Sequence, residues 1–324
     1  MTGDEVVVER AHAKVNLVLR VGAPRADGLH PLCSLFAALE LADEVRVAPR
    51  EDADGEEPEG AVGGRDVVVC PGVDGDNLAA AAAAAFRAAA LDAGLPPLRI
   101  EIAKRIPVAA GLAGGSGDAA AVLRAANWIA GSPLSADDLR AVAAGLGSDV
   151  PSQVAPAHAI VAGVGERVER VDLPPMTLVL VPQDEGLSTA AVYGELDRLR
   201  AEAARQPSLA VGPADAGPPD RLDPGPLRRL ASGPLTTLAA GLANDLEPAA
   251  LSLRPGLTAP LEALRAAGAL AAQVTGSGPT TFGLFENRLA AERAAATIDG
   301  QRAAIAQGNG DAAPALAIVT ELLA

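Results

Sequence analysis

Four glycines and a serine fall within seven residues of PVAAGLAGGSGDAAA, positions 107–121: Gly111, Gly114, Gly115, Ser116 and Gly117. They run without a break into an alanine-rich segment that predicts a helix. Glycine backbone lets N–H groups approach a ligand closely, and a helix start presents unpaired N–H donors at the positive end of the dipole. Together these make an anion site, most often one for phosphate. The same residues also suit a plain entry turn with Ser116 as the helix cap, and the loop alone leaves both readings open. It is not a Walker A loop, which ends in Gly-Lys-Ser/Thr, because these glycines run into Ser-Gly-Asp. Gly115 to Ala120 matches G-x-G-x-x-A, but KRIPVAAGLA separates it from the preceding strand, and Asp137 and Asp138, where a ribose-binding acid would fall, open a helix. Asp118 reads as a helix-dipole partner in the first turn rather than a catalytic acid.

Two lysines stand out because the other 24 of the 26 basic residues are arginine. Lys14 sits in AHAKVNLVLR and Lys104 just ahead of the glycine loop. Asn16 follows Lys14 by two residues, so in a strand both side chains project from one face. Asp149 in GSDVP reads locally as a loop acid before a proline, and His30 in DGLH as a turn histidine.

The elements that must position these groups alternate strands and helices without regular βαβ repetition, which argues an α+β fold. Strands are expected at Val6–Val21, Asp43–Arg50, Asp66–Cys70 and 98–103, and in AHAIVAG and ERVERV. Helices are expected over Asp76–Gly94, 116–130 and 135–146. A first domain then closes near residue 171. The second half reads as strand TLVLVP, helix STAAVYGELDRLRAEAAR, a hairpin-like pair in LAAQVTGSGPTTFGLF, a helix from about 287 and a last strand in APALAIVTEL. EDADGEEPEG reads as a solvated loop, and the Pro/Gly-rich stretch at 206–226 as a mobile insertion.

At 324 residues and 49% apolar content the chain can bury a sizeable core. A net charge of −15 without a basic run argues against nucleic-acid and anionic-membrane partners. Apolar runs are too short to span a bilayer and the N-terminus is no signal peptide, so a cytoplasmic protein is expected. Cys33 and Cys70 lack metal or redox spacing and read as two reduced core thiols. His12 and His158 read as ordinary polar residues.

IPVAAGLAGGSGDAAAVLRAAN resembles the phosphate-binding motif of the GHMP kinases. AHAKVNLVLRVGAPRADGLH resembles the branch of that family acting on a cytidyl diphosphate sugar alcohol in the non-mevalonate route to isoprenoid precursors. DNL at 76–78, GSDVP at 147–151, GLSTAAVY at 186–193, NDLE at 244–247 and VTGSGPTTFGLF at 274–285 agree in order, so the likeness covers nearly the whole chain.

The resemblance implies a two-domain fold divided as 1–171 and 172–324. The first domain would be like the second domain of ribosomal protein S5, the second ferredoxin-like, with the active site between them. It implies transfer of the ATP γ-phosphoryl, with Mg²⁺, to the substrate's 2-hydroxyl, by a monomer or homodimer. Asp149 would be the general base with Lys14 beside it. Asn77, Lys104, Pro107, Gly111, Leu112, Ala113, Gly114, Gly115, Ser116 and Gly117 would bind ATP, Ser116 also touching Mg²⁺. Asn16, Leu29, His30, Thr189, Tyr193, Gly276 and Ser277 would bind the substrate. Leu29 departs from the family pattern, which commonly has a base-stacking aromatic there, while Tyr193 matches the other family aromatic.

Overall fold

The structure is a computed structural model that describes residues 6–50, 66–73, 76–205, 222–309 and 314–324. EDADGEEPEG and residues 206–221 of the Pro/Gly-rich stretch lie outside the described residues. The chain forms two compact units: residues up to Ala13 with Leu41–Val108 and Ala113–Ala157, and Lys14–Glu40 with Ala109–Leu112 and His158–Ala324. Two long strands, β1 (Val7–Val21) and β2 (Leu32–Pro49), each run from one unit into the other.

In the first unit, the last part of β2 pairs antiparallel with β4 (Leu98–Ala103), which pairs in parallel with β3 (Val67–Val69). LRIEIA is a strand because its apolar residues alternate: Leu98, Ile100 and Ile102 are buried while Arg99 faces solvent. Helices α1 (Leu78–Ala89), α2 (Gly114–Ile129), α3 (Ala136–Ala144) and the single turn α4 (Val150–Gln153) complete the unit. Alanine is the best helix former and the smallest side chain that still buries apolar surface. Ala79, Ala82 and Ala83 of α1 therefore share a core with Ala119, Ala120, Val122, Leu123 and Ala126 of α2. Phe86 is the large side chain that fills this core. Helix α3 starts on a capping box in which Ser135 and Asp138 satisfy each other's N–H groups.

In the second unit the first part of β2 pairs with β5 (Ala159–Gly163), β5 pairs with β6 (Arg167–Arg170), and β8 (Ala243–Asn244) runs parallel to β1 at Val18 and Leu19. A separate antiparallel sheet has the order β11-β7-β10-β9, from β7 (Thr177–Val181), β9 (Ala271–Val274), β10 (Thr281–Phe285) and β11 (Ile318–Glu321). With α5 (Thr189–Arg205) after β7 and α10 (Arg288–Asn309) between β10 and β11, this is the ferredoxin-like order expected from the resemblance. Strands β7 and β10 are buried along their whole length.

The structure corrects the sequence reading in places. Strand β2 begins at Leu32, well before Asp43, because LCSLFAALEL is buried on both faces and so shows no alternation to read. Short helices α6 (Gly225–Ala231), α7 (Leu235–Ala240), α8 (Glu247–Leu253) and α9 (Thr258–Ala266) were not legible at all. Both cysteines are free, but only Cys33 is a core thiol, with its pKa pushed up to about 11 by burial, while Cys70 is half-buried. Among the described residues no helix is long and apolar enough to cross a membrane.

Candidate active site

The residues singled out from sequence fall into one set in each unit. In the first unit, α2 begins at Gly114, two residues earlier than expected, so the cap is Ala113 and not Ser116. Ala113 has no side-chain group to cap the helix and lies in the left-handed region at φ 59°. Gly117 N–H already bonds Ala113 O, which leaves the amides of Gly114, Gly115 and Ser116 as the open first turn. A Cβ on Gly115 would meet nothing within 4 Å. An uncapped first turn with open space before it suits an anion. Just upstream, Ala109 is also left-handed, at φ 54°. Left-handed alanine costs roughly 1–2 kcal/mol, a strain that persists only where the surroundings fix it.

Lys104 is half-buried and ion-paired to two carboxylates. Its Nζ donates to Asp43 Oδ2 at 2.5 Å and to Asp118 Oδ2 at 2.8 Å, and Asp43 Oδ1 also accepts the Arg105 and Ile106 N–H groups. Burial lowers the affinity of Lys104 for its proton, but the two carboxylates more than offset it and the pKa rises. Asp118 is pushed up to about 6, chiefly by burial and against the pull of Lys104. Asp118 is therefore no dipole partner: with the helix beginning at Gly114 it lies past the first turn, buried and ion-paired, and its Oδ1 has no partner. The bridge ties β4, β2 and α2 together behind Gly114, where a Cβ would lie 3.2 Å from Lys104 Nζ.

Asn77 is the N-cap of α1, its Oδ1 accepting the Ala79 N–H at 2.9 Å. Asp149 directly precedes α4 and is half-buried, its carbonyl accepting the Ser152 hydroxyl. Pro107 directly precedes the turn that leads into the loop.

In the second unit, Lys14 is 4% exposed on β1. Its Nζ donates to Asn16 Oδ1 at 2.8 Å and lies 4.7 Å from the Phe36 ring centroid, and its N–H is bonded to Leu112 O. These contacts offset part of the cost of burying an ammonium. Asn16 projects on the same face as Lys14, as expected, and its Nδ2 donates to Ser34 Oγ, which in turn donates to Val18 O. The glycine turn after β9 closes on this group. Thr275 Oγ1 accepts the Asn16 N–H, and a Cβ on Gly276 would lie 3.3 Å from Asn16 Oδ1. Gly111 is as tightly placed: at φ 75° its Cβ would lie 2.7 Å from Gly278 O.

Sequence reasoning missed what holds this turn. Asn244 Nδ2 donates at 2.8 Å to both Val274 O and Gly276 O, its Oδ1 accepts the Leu246 N–H, and Glu247 accepts the Val274 N–H. Gln273 Nε2 donates to Asn16 O and Leu17 O. NDLE was visible as a motif, but its job as a backbone clamp was not.

His30 is pinned on three sides. Nδ1 donates to Gly22 O at 3.0 Å, Nε2 lies 3.3 Å from Asp197 Oδ2, and the Tyr193 ring packs at 5.0 Å and 48°. Leu29 beside it is 51% exposed. Thr189 Oγ1 lies 3.0 Å from Ser277 Oγ, linking α5 to the glycine turn. His12 and His158 are partly or fully buried, and His158 Nδ1 accepts the Ala38 N–H.

The model of the GHMP kinases N terminal domain matches residues 77–159, and that of the GHMP kinases C terminal matches 227–302. A relative in Streptomyces avermitilis, named 4-diphosphocytidyl-2-C-methyl-D-erythritol kinase, is 43% identical over 85% of this chain and 86% of its own. The chain belongs to the GHMP kinases, in the 4-diphosphocytidyl-2-C-methyl-D-erythritol kinase family. A crystal structure titled 4-(cytidine 5'-diphospho)-2C-methyl-D-erythritol kinase shares 31% identity with this family member, covers 98% of it and 100% of its own chain, and superposes with a TM-score of 0.72. A homoserine kinase from Cytophaga hutchinsonii, 18% identical with a TM-score of 0.64 over 100% of this chain and 95% of its own, shares the GHMP kinase fold.

Proposed function

We propose that this GHMP kinase transfers the γ-phosphoryl of ATP to the 2-hydroxyl of 4-diphosphocytidyl-2-C-methyl-D-erythritol, in the non-mevalonate route to isoprenoid precursors. What carries the reading is the shared name of the 43% identical relative and of the solved structure that spans the whole chain. Phosphoryl transfer asks the protein mainly for positioning and charge stabilisation. Asp149 takes the proton from the attacking hydroxyl. Lys14, already buried and oriented by Asn16 and Phe36, neutralises charge on the transferring group. Asn16 orients the hydroxyl.

The triphosphate lies against the open amides of Gly114, Gly115 and Ser116, with Pro107, Gly111, Leu112, Ala113 and Gly117 shaping the loop, and Asn77 and Lys104 on the nucleotide side. When bound, Mg²⁺ would offset the charge of the triphosphate. The half-buried Ser116 hydroxyl fits as its protein contact. Among the described residues no group of three or more His, Cys, Asp or Glu side chains is arranged to hold a metal. Leu29, His30 and Tyr193 receive the cytosine end, and Thr189, Gly276 and Ser277 the remainder. The enzyme acts in the cytoplasm on small molecules, as a monomer or homodimer.

The test is ADP release with the cytidyl substrate, compared with homoserine and mevalonate, with and without Mg²⁺. Mg²⁺-dependent turnover confined to the first is the expected result, and its absence refutes the proposal. Asp149→Asn should abolish turnover and leave ATP binding nearly intact, and substantial remaining activity would remove Asp149 from the role of base.

A further inference from the structure

We propose that Asp197 is a positioning residue for base recognition: from α5 it fixes the His30 ring, and through that ring the turn that receives the cytosine end of the substrate. The inference rests on the cytidyl reading above. Thr189, Tyr193, Asp197 and Arg200 are spaced four, four and three apart, which aligns them on one face of α5. Each engages a segment of the substrate side. Thr189 meets Ser277, Tyr193 packs on His30, Asp197 reaches His30 Nε2, and Arg200 donates to Val21 O at 2.7 Å and Gly22 O at 3.2 Å.

A carbonyl oxygen only accepts, so the contact with Gly22 O commits His30 Nδ1 as a donor. That leaves Nε2, which lies 3.3 Å from Asp197 Oδ2. Asp197 therefore holds the far edge of the ring from α5, while Arg200, paired with Asp245 at 3.6 Å, holds the same Gly22 carbonyl that the near edge uses. The turn itself is closed by the bonds from Gly22 N to Pro31 O and from Arg25 N to Leu29 O, so a ring anchored at Gly22 and Asp197 fixes both ends of it. The Asp197 side chain is 40% exposed and outside the core, so its contribution to fold stability is small and its effect on ring geometry is separable.

The experiment uses the full chain and cytidine 5'-diphosphate as probe, with Asp197→Asn and Asp197→Glu. Calorimetric titration should show Asp197→Asn binding the probe about tenfold more weakly, since the contact that holds the ring in place is weakened. In turnover assays the KM for the cytidyl substrate should rise similarly while the KM for ATP and kcat hold, and Asp197→Glu should recover part of the loss. With three histidines in the chain, the His30 ring ¹⁵N resonances are assignable by difference, and Asp197→Asn should move them while His12 and His158 stay put. Equal probe binding by wild type and Asp197→Asn overturns the proposal, as do unmoved His30 resonances or equal rises in both KM values. Failure of the wild type to bind the probe removes the cytidyl reading, and the proposal with it.

Discussion

Asn244→Asp exchanges one atom for a near-isostere and should be among the most damaging single changes outside the reacting groups. The amide makes three bonds here: both N–H groups donate, to Val274 O and Gly276 O, and Oδ1 accepts the Leu246 N–H. An aspartate keeps the acceptor but turns an oxygen towards two carbonyl oxygens in a buried place. Two hydrogen bonds worth about 1 kcal/mol each are lost, both carbonyls go unsatisfied, and a carboxylate is buried without a cation. Together these give a destabilisation of about 3–5 kcal/mol at neutral pH. The sign with pH follows from the carboxylate's surroundings. Burial beside two carbonyls raises its folded pKa above the unfolded value of about 3.9, so between the two values the native state binds the extra proton and stability falls as pH rises. The penalty should therefore be largest at pH 7 and shrink as pH falls towards 4. Urea unfolding followed by far-UV circular dichroism at pH 5 and pH 7 measures both features. With a slope near 3 kcal/mol per molar, the midpoint at pH 7 should drop by about 1 M or more. An unchanged midpoint at pH 7, or a penalty that grows on acidification, refutes the clamp.

Gly111→Ala places a Cβ 2.7 Å from Gly278 O at φ 75°, against backbone that cannot swing away, so it should destabilise by several kcal/mol and raise KM values; a normal melting temperature would show that the turn yields. Lys104→Met leaves Asp43 and Asp118 buried without their cation and should cost about 3–5 kcal/mol by denaturant titration, a small loss meaning that the bridge is dispensable. Glu247 has its pKa raised by burial against the Val274 N–H and Arg265, so its stabilising protonated form is lost as pH rises through the folded value. Glu247→Gln keeps the acceptor without the charge, and its stability advantage over wild type should grow with pH in paired thermal melts; a difference flat with pH would contradict the assignment.

Local features were legible and long-range ones were not. LRIEIA shows its strand because alternation is written within six residues, and Lys14 with Asn16 shows a shared face because strand geometry needs only a spacing of two. Lys104 could not be placed, because its partners lie 61 residues upstream and 14 downstream, and nothing near it signals burial. Asp118 was misread through a two-residue error in the helix start, since the glycines that open α2 are poor helix formers and hide its first turn. Asp197 lies 167 residues from His30, on a helix that its sequence presents as an ordinary amphipathic segment. Motif order carried the family further than periodicity did, because each motif marks a backbone that must bend or approach closely.

The distribution of aromatic side chains bears on why these polar groups are kept. The chain has six Phe, Tyr and Trp residues in 324, and its cores are built mainly from alanine, valine and leucine. Phe86, Phe282 and Phe285 fill core volume, yet Phe36 lies under the Lys14 ammonium and Tyr193 against the His30 ring. Around Lys14, the amides of Asn16 and Gln273 and the hydroxyls of Ser34 and Thr275 are spent on hydrogen bonds that an apolar cluster of the same volume would not need. Replacing such a buried charged network by packed apolar residues is often neutral or stabilising. Stability therefore gives no reason for its presence, whereas holding one ammonium and one amide in fixed orientation does. The glycine turn at 276–278 serves the same end: at φ 55° Gly276 adopts a left-handed backbone, and a Cβ there would crowd Asn16 Oδ1 at 3.3 Å.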